Sequence, residues 1–169
     1  MKLFGSKVAF LPLGGSGKDW QQEGCAAYQQ MVSRLRTAGE MAKQEGITIG
    51  IRTGMGAKFD KKLLKKVGSS QIKVYYNFQD AADHHRDICK ELRKLGAQRI
   101  VQIHASNTDS VNLQEDPEIN LPKIRKTLDK MKWSGWLVVE RSRDVKRVRD
   151  VKYNFGRNIA YLKEVFQER

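Results

Sequence analysis

Four polar residues stand at the ends of short apolar segments, where side chains of their types could carry out chemistry. Asn77, His104 and Glu140 each follow a run rich in β-branched or aromatic residues, and Arg52 ends a similar segment earlier in the chain. In parallel sheets, the carboxyl end of a strand is the usual position for binding and catalytic groups. We therefore interpret these four positions as a candidate site, which requires that the segments before them are neighbouring strands.

The apolar segments alternate with longer segments whose apolar residues recur at helical spacing. The predicted strands are 7–13, 47–52, 72–77, 99–104 and 135–140. The predicted helices are 22–45, 59–67, 83–95, 124–131 and 153–167. This alternation predicts an α/β fold made of parallel βα units. Such units fit either an open doubly wound sheet or about five-eighths of a (β/α)8 barrel.

Two loops between these elements could be functional. The segment 14–18, Gly-Gly-Ser-Gly-Lys, lacks the spacing of a P-loop, because Pro12 takes the place of the first glycine and Asp19 that of the serine or threonine. This segment fits an active-site loop as well as a plain connection. The polar loop 105–122 is long enough for a lid or a substrate-binding loop.

Composition restricts the class of protein. The chain has 169 residues, 40% of them hydrophobic, and we expect residues 1–169 to form a single domain. A net charge of +13 indicates either a basic, solvated surface or affinity for a polyanion. Cys25 and Cys89 have no metal-ligand spacing, and we interpret them as reduced thiols of a cytoplasmic protein. No apolar run or signal-peptide pattern predicts a membrane partner.

Several segments together resemble a known family. They are 38–43 (Ala-Gly-Glu-Met-Ala-Lys), 73–77, 102–104 and 135–140. In order and spacing they resemble the xylose isomerase-like TIM barrels, the sugar phosphate isomerase/epimerase family, which shares its fold with endonuclease IV. The resemblance implies a barrel of about eight strands, of which this sequence matches roughly the last five. It therefore favours an incomplete TIM-type barrel, with the other strands in a longer chain or in a partner.

The resemblance also implies a divalent metal ion, held by Glu, Asp, His and Glu at the ends of consecutive strands. The matching positions are Arg52, Asn77, His104 and Glu140, so the last two fit the pattern and the first two depart from it. A guanidinium cannot coordinate a cation, and Arg52 could instead pair with Glu140 in the place of the metal. The amide of Asn77 is a weak, neutral ligand.

We therefore expect no bound cofactor. A divalent ion (Mn, Mg, Co or Zn) is implied by the resemblance alone, and we expect His104 and Glu140 to hold it weakly or not at all. In this family's epimerase chemistry, paired carboxylates move a proton next to a sugar carbonyl. With Glu140 as the remaining carboxylate of the motif, that pair is broken.

Strand alternation places further side chains on the face of the candidate site. Residues two apart in a strand share a face, so Lys73 and Tyr75 lie with Asn77, and Gln102 lies with His104. Together with the resemblance, this assigns candidate catalytic roles to Glu140 and His104. The candidate substrate-binding residues are Arg52, Asn77, Gln102, Lys73, Arg141 and Arg143. The last two are included because a guanidinium suits phosphate and carboxylate anions.

Three functions remain open at this point. The first is a sugar or sugar-phosphate isomerase or epimerase with a degenerate metal site, and the second is a non-catalytic descendant that binds a sugar or another anion. The third is nucleic-acid binding, which the charge allows but which we do not favour, because three histidines are too few for the zinc cluster that the endonuclease relatives imply. As partners, we expect a small sugar ligand and a homo-oligomer, or a partner chain that covers the open sheet edges.

Overall fold

The computed structural model describes residues 5–14, 20, 22–107 and 110–167, and its strands form one parallel sheet. The strands are β1 (Val8–Pro12), β2 (Thr48–Arg52), β3 (Ile72–Asn77), β4 (Ile100–Ala105) and β5 (Leu137–Val139). They pair in sequential order, each parallel to the next. This confirms the predicted incomplete barrel of TIM type. The doubly wound alternative is wrong, because such a sheet reverses its strand order at a switch point.

Helices follow the strands and cover the outer face of the sheet. They are α1 (Ala26–Gln44), α2 (Ala57–Val67), α3 (Phe78–Ala82), α4 (Ile88–Leu95), α5 (Leu121–Lys130) and α6 (Val151–Phe166). Short 3-10 turns lie at Ala97–Arg99, Leu113–Glu115 and Val145–Arg147. Among the helices that the structure describes, none is long and apolar enough to cross a membrane.

The segment 83–95 differs from the prediction in its first half. Residues 83–87 lie outside any helix, and α4 begins only at Ile88. Asp87 fixes this start, because its side chain accepts a hydrogen bond of 2.9 Å from the backbone N–H of Lys90. The helical spacing of the sequence therefore placed the start too early, and it missed α3, which follows β3 without an intervening loop.

The two faces of the sheet differ in polarity, as strand alternation requires. Buried side chains that pack under the helices include Val74, Tyr76 and Ile103. The opposite face carries the polar residues of the candidate site. In the observed register, Tyr75 lies beside Gln102 and Asn77 lies beside His104. The predicted sharing of faces within and between these two strands is therefore confirmed.

An irregularity between β3 and β4 brings the two polar strand ends level. Val74 pairs with Ile100 and Asn77 pairs with His104, so three steps along β3 correspond to four steps along β4. The extra residue in β4 is a bulge, a feature that redirects side chains and is frequent beside active sites. Without it, His104 would lie one position beyond Asn77 and on the opposite face of the sheet.

The loop after β4 is packed into the protein in the part that the structure describes. Asn107, Asn112, Leu113 and Ile119 are all buried, and a 3-10 turn crosses the middle of the segment. These residues therefore anchor the described part of the loop to the body of the protein. Residues 15–18 of the glycine-rich segment lie outside the described residues.

Helix α1 packs closely on the turn before β3 through Gly39. A Cβ atom at this position would lie 2.7 Å from Ser69 Cβ and 3.2 Å from Ile72 Cγ1. We expect Gly39→Ala to lower the free energy of unfolding by about 1–3 kcal/mol through overpacking, although alanine favours the helix. Urea denaturation measures the change.

Gly156 in α6 is the matched control for this substitution. A Cβ atom there would meet no atom within 4 Å among the described residues. Gly156→Ala should therefore raise stability by up to about 1 kcal/mol through helix propensity alone. Equal effects of the two substitutions would contradict the close packing of α1.

Candidate functional site

The carboxyl ends of β2, β3, β4 and β5 bring the predicted strand-end residues together around one carboxylate oxygen. Glu140 Oε2 lies 3.1 Å from His104 Nδ1, 3.4 Å from Asn77 Nδ2 and 3.5 Å from Arg52 Nη1. The Asn77 amide donates a hydrogen bond to this oxygen. Asn77 itself is fixed, since its Oδ1 accepts hydrogen bonds from Ser106 Oγ at 2.9 Å and from the Asp80 backbone at 3.2 Å.

Asp80 belongs to the same cluster of side chains, and the sequence interpretation did not include it. Its carboxylate accepts two hydrogen bonds from Arg52, of 2.9 Å from Nε and 2.7 Å from Nη2. This bidentate geometry is the strong form of an arginine–carboxylate pair. The available signal was the spacing Asn77-x-x-Asp80, since an asparagine at a helix N-cap places the third residue after it near the strand end.

The cluster therefore contains two carboxylates with one guanidinium between them. Asp80 and Glu140 stand on either side of Arg52, so the three groups carry a net charge of −1. The hydrogen bonds that Arg52 donates to Asp80 raise the pKa of Arg52 further above its ordinary value, and the charge of Glu140 acts in the same direction. The Arg52 side chain is 26% exposed, so ligands can reach a cation that is already paired.

His104 is the group in the cluster suited to accept or donate a proton. Burial is the main cause that lowers its pKa below the ordinary value, and Arg52 adds to this, while Glu140 and Asp80 oppose it. The imidazole is therefore neutral at pH 7. Its Nδ1 is buried close to Glu140 without the alignment of a hydrogen bond, and it has no hydrogen-bond partner among the described residues.

Aromatic rings form one wall beside His104. Tyr75 lies with its ring centre 4.3 Å from that of His104, and Phe10 lies 5.0 Å from His104 and 4.8 Å from Tyr75. Burial raises the pKa of Tyr75 to about 12, with a further contribution from the charge of Glu140. Tyr75 is therefore a neutral phenol. The sequence placed it on the correct face but did not reveal its contact with the imidazole.

The remaining candidate substrate-binding residues do not join this cluster in the same way. Lys73 shares its face but lies four residues before Asn77, about 13 Å nearer the other end of the strand. Gln102 lies beside Tyr75, two residues before His104 and therefore farther from the carboxyl ends of the strands. Arg141 and Arg143 lie one and three residues after Glu140, in the turn after β5.

A second polar cluster lies behind Arg52, under the loop between β2 and α2. Asp60 is 5% exposed and accepts a short hydrogen bond from Thr53 Oγ1. Glu91 accepts hydrogen bonds from Tyr76 Oη at 3.1 Å and from the Ala57 backbone at 3.0 Å. The cavity between the clusters has a volume of about 20 Å³, room for about one water molecule.

Arg86 connects the cluster of Asp60 and Glu91 to the cluster around Glu140. Its Nη2 donates to the Gly54 carbonyl at 3.1 Å and to the Asp80 carbonyl at 2.7 Å, and its Nε lies 3.4 Å from Glu91. The loop that follows Arg52 and the helix that carries Asp80 are thereby held to the same side chain. This explains how Arg52 at the end of β2 and Asp80 on α3 keep a bidentate geometry.

The residues around Glu140 do not fit a divalent metal ion. A guanidinium lies between the carboxylates where a cation would have to bind. In the part of the chain that the structure describes, no three His, Cys, Asp or Glu side chains are grouped so that they could hold a metal ion. No chemical step is therefore assigned to a metal here.

Comparisons with known proteins agree with this architecture. A family model described as xylose isomerase-like TIM barrel matches residues 1–165. A D-psicose 3-epimerase, solved in the presence of D-fructose, has a similar fold with a TM-score of 0.73, 15% identity, 89% of this chain covered and 61% of that chain covered. A sugar phosphate isomerase/epimerase from Parabacteroides distasonis has a TM-score of 0.72 and 16% identity, with 94% of this chain and 60% of that chain covered.

An AP endonuclease of family 2 from Brucella melitensis is also similar, with a TM-score of 0.67, 18% identity, and coverage of 89% of this chain and 60% of that one. At these identities, the likeness shows the fold alone. The chain spans about three-fifths of the length of these solved structures. No curated protein matches it in sequence.

Proposed function

We propose that this chain, which belongs to the xylose isomerase-like TIM barrel family, binds a sugar or sugar phosphate at the carboxyl ends of its strands. It acts on this ligand as an isomerase or epimerase with a degenerate metal site. The observation that carries the proposal is the convergence of Arg52, Asn77 and His104 on Glu140 Oε2. Solved proteins of the same fold include epimerases and a sugar phosphate isomerase/epimerase.

The groups of the cluster suit proton transfer next to a sugar carbonyl. The Glu140 carboxylate would remove the proton from the carbon, and neutral His104 would move a proton between the oxygens of the resulting enediol. Arg52 would stabilise negative charge on the carbonyl oxygen, a role for a fixed cation in a partly dry site. Asp80 would hold Arg52 in place and offers a second carboxylate close to Glu140.

Exchange of substrate hydrogen with solvent tests this proposal. The protein is incubated in D2O with a panel of aldoses, ketoses and their phosphates, and NMR follows deuterium at the carbon beside the carbonyl. We expect exchange with at least one compound and a loss of about a hundredfold or more in Glu140→Gln. Glu118→Gln, the same chemical change at an exposed residue of the 105–122 loop, should leave the rate unchanged. Exchange that survives Glu140→Gln would contradict the assignment of the base.

The non-catalytic alternative predicts a different outcome of the same experiment. A sugar would then bind, as measured by calorimetry, without deuterium exchange, and Arg52→Met would remove the binding. Nucleic-acid binding is the third alternative, suggested by the charge of +13 and by the endonuclease of similar fold. This alternative predicts an affinity for duplex DNA that falls steeply as the salt concentration rises. The net negative charge around Glu140 argues against a phosphate directly at this carboxylate, whether it belongs to a nucleic acid or to a sugar phosphate.

Both edges of the sheet expose apolar side chains, so we also propose self-association or a partner chain. Trp136 beside β5 is 73% exposed, and Phe10 and Leu11 of β1 are 41% and 37% exposed. Unpaired strand edges of this kind favour association. Sedimentation of this chain at micromolar concentration should show oligomers, and Trp136→Lys should shift them towards monomer. Met41→Lys, a similar change on the exposed face of α1, is the control. A monomeric wild type would refute the expectation.

A further inference from the structure

The turn after Glu140 has a backbone conformation that its residues do not favour. Arg141 and Ser142 have φ values of 61° and 66°, and both lie in the left-handed region. Neither is glycine or asparagine, the residues that enter this region most readily. Two such residues in succession persist only where the surrounding structure fixes them, and such positions cluster at functional sites.

Ser142 is fixed by hydrogen bonds from three separate segments. Its carbonyl oxygen accepts from Asn158 Nδ2 at 2.7 Å and from Asn112 Nδ2 at 3.1 Å, and its Oγ accepts from the Asn107 backbone at 2.9 Å. Ser142 and the three asparagines are at most 1% exposed. We call the Asn112 and Asn158 side chains, which both hold the Ser142 carbonyl, the asparagine clamp.

Asn107, which is not part of the clamp, links the same turn to the strand that carries His104. Asn107 follows β4 by two residues and Asn158 lies in α6, so the end of β4, the end of β5 and α6 meet at Ser142. The separation between His104 and Glu140 therefore depends on this junction. Both polar atoms of the Asn158 amide are hydrogen-bonded, because its Nδ2 donates to Ser142 and its Oδ1 accepts from the Leu113 backbone at 2.8 Å.

Little else holds the backbone of Glu140. Strand β5 has three residues and pairs with β4 alone among the described strands. The Glu140 backbone N–H reaches Ala105 at 3.5 Å, a long hydrogen bond, and the Glu140 side chain is 37% exposed. The position of the Glu140 backbone, from which the carboxylate reaches Asn77, His104 and Arg52, therefore depends on the turn that follows it.

The clamp leaves a buried polar atom unsatisfied. Asn112 Oδ1 has no hydrogen-bond partner in the described part of the chain, and such an atom destabilises a fold. We infer that Asn112 and Asn158 are positioning residues, which hold Arg141 and Ser142 in the left-handed conformation and so direct Glu140 at Asn77, His104 and Arg52. The use of Glu140 as a base rests on the proposed function, whereas its placement does not.

Asn158→Asp tests the placement directly. Aspartate keeps the oxygen that accepts from Leu113 but loses the donor to Ser142. In the crystal structure of this variant we expect Ser142 to leave the left-handed region, and Glu140 Oε2 to move from His104 Nδ1 beyond hydrogen-bonding reach, about 3.5 Å. Where the wild type exchanges deuterium, we expect the rate to fall about a hundredfold, as for other small misplacements of a reacting group.

Asn154→Asp is the matched control. Asn154 is equally buried one turn earlier in α6, and its Nδ2 donates to the backbone of Arg147 and Asp150 but not to Ser142. Its Oδ1 accepts from Asn112 Nδ2 and from the Asp144 backbone, and aspartate keeps this oxygen. In this variant, Glu140 and the exchange rate should not change. Equal displacement of Glu140 in both variants, or none in Asn158→Asp, would overturn the positioning role. If wild type shows no exchange but Glu140 moves only in Asn158→Asp, the proposed function fails and the positioning role stands.

Asn112→Asp, which removes the other donor to Ser142, is measured in the same way if Asn158→Asp does not fold. Displacement of Glu140 in this variant and not in Asn154→Asp supports the clamp. If neither clamp variant folds while Asn154→Asp does, the asparagines serve stability and the positioning role is rejected.

Discussion

Replacing Arg52 with glutamate and Asn77 with aspartate should create a site that binds Mn²⁺, Co²⁺ or Zn²⁺ at least about a thousandfold more tightly than the wild type. The reason is the charge of the groups around Glu140. In the wild type one guanidinium stands between two carboxylates, with a net charge of −1. The double variant has four carboxylates in the same region, beside neutral His104, with a net charge of −4.

The size of the effect follows from Coulomb attraction. A pair of unit charges about 4 Å apart contributes about 4 kcal/mol at an effective dielectric constant near 20. Every ~1.4 kcal/mol changes an affinity tenfold. Solvent screens Glu140, whose side chain is 37% exposed, so the net gain is smaller than the sum over charges. Removal of the guanidinium also frees Asp80 and Glu140 to act as ligands.

Calorimetric titration of the purified variants measures this prediction. In the double variant, His104→Ala should remove most of the gained affinity, because the imidazole is one of the expected ligands. Lys73→Glu is the charge-matched control. It changes the charge by the same amount as Arg52→Glu but at the amino-terminal end of β3, and it should not create a site. Tight, stoichiometric binding by the wild type that is lost on His104→Ala would show that the guanidinium does not exclude a metal.

The fold followed from the sequence because each strand is a local signal. Short β-branched or aromatic runs alternate with helical spacing, and strands 72–77 and 99–104 agree with β3 and β4 within one residue. Strand-end residues were found for the same reason, since alternation along a pleated strand fixes which side chains share a face. Arg52, Asn77, His104 and Glu140 therefore meet as expected.

What the sequence did not reveal depends on long-range geometry. Asp80 lies on a helix beyond its strand, and its role is decided by the reach of Arg52 from the neighbouring strand. With Asp80 included, the charges around Arg52 sum to −1, whereas Arg52 and Glu140 alone would sum to zero. Nothing local in Arg141-Ser142 indicates a left-handed turn, because hydrogen bonds from distant asparagines impose it.

The second prediction with a large expected effect concerns the buried carboxyl group of Asp60. We expect the free energy of unfolding of the wild type to fall as the pH rises from about 4 to 7. Burial raises the pKa of Asp60 from 3.8 to about 7, and the charge of Glu91 acts in the same direction, while the hydrogen bond from Thr53 and the charge of Arg86 oppose it. In the unfolded chain, the carboxyl ionises near its ordinary value.

The sign follows from proton linkage. Between pH 4 and 7 the folded protein keeps a proton on Asp60 that the unfolded chain has lost, so rising pH favours unfolding. A pKa difference of about three units corresponds to about 4 kcal/mol of unfolding free energy, fully lost above pH 7. This loss is large beside the typical stability of a small protein, about 5–15 kcal/mol.

Asp60→Asn isolates this group, because asparagine resembles the protonated acid and can keep the hydrogen bond with Thr53. Urea denaturation at several pH values should show little change at pH 4 and a stabilisation of about 4 kcal/mol at pH 8 relative to the wild type. Asp87→Asn is the control of opposite sign. The hydrogen bond from Lys90 lowers the pKa of Asp87, so its carboxylate favours folding above that pKa and the substitution should not stabilise at pH 8. A wild-type stability that is flat from pH 4 to 8, with no gain in Asp60→Asn, would show that Asp60 ionises normally in the fold.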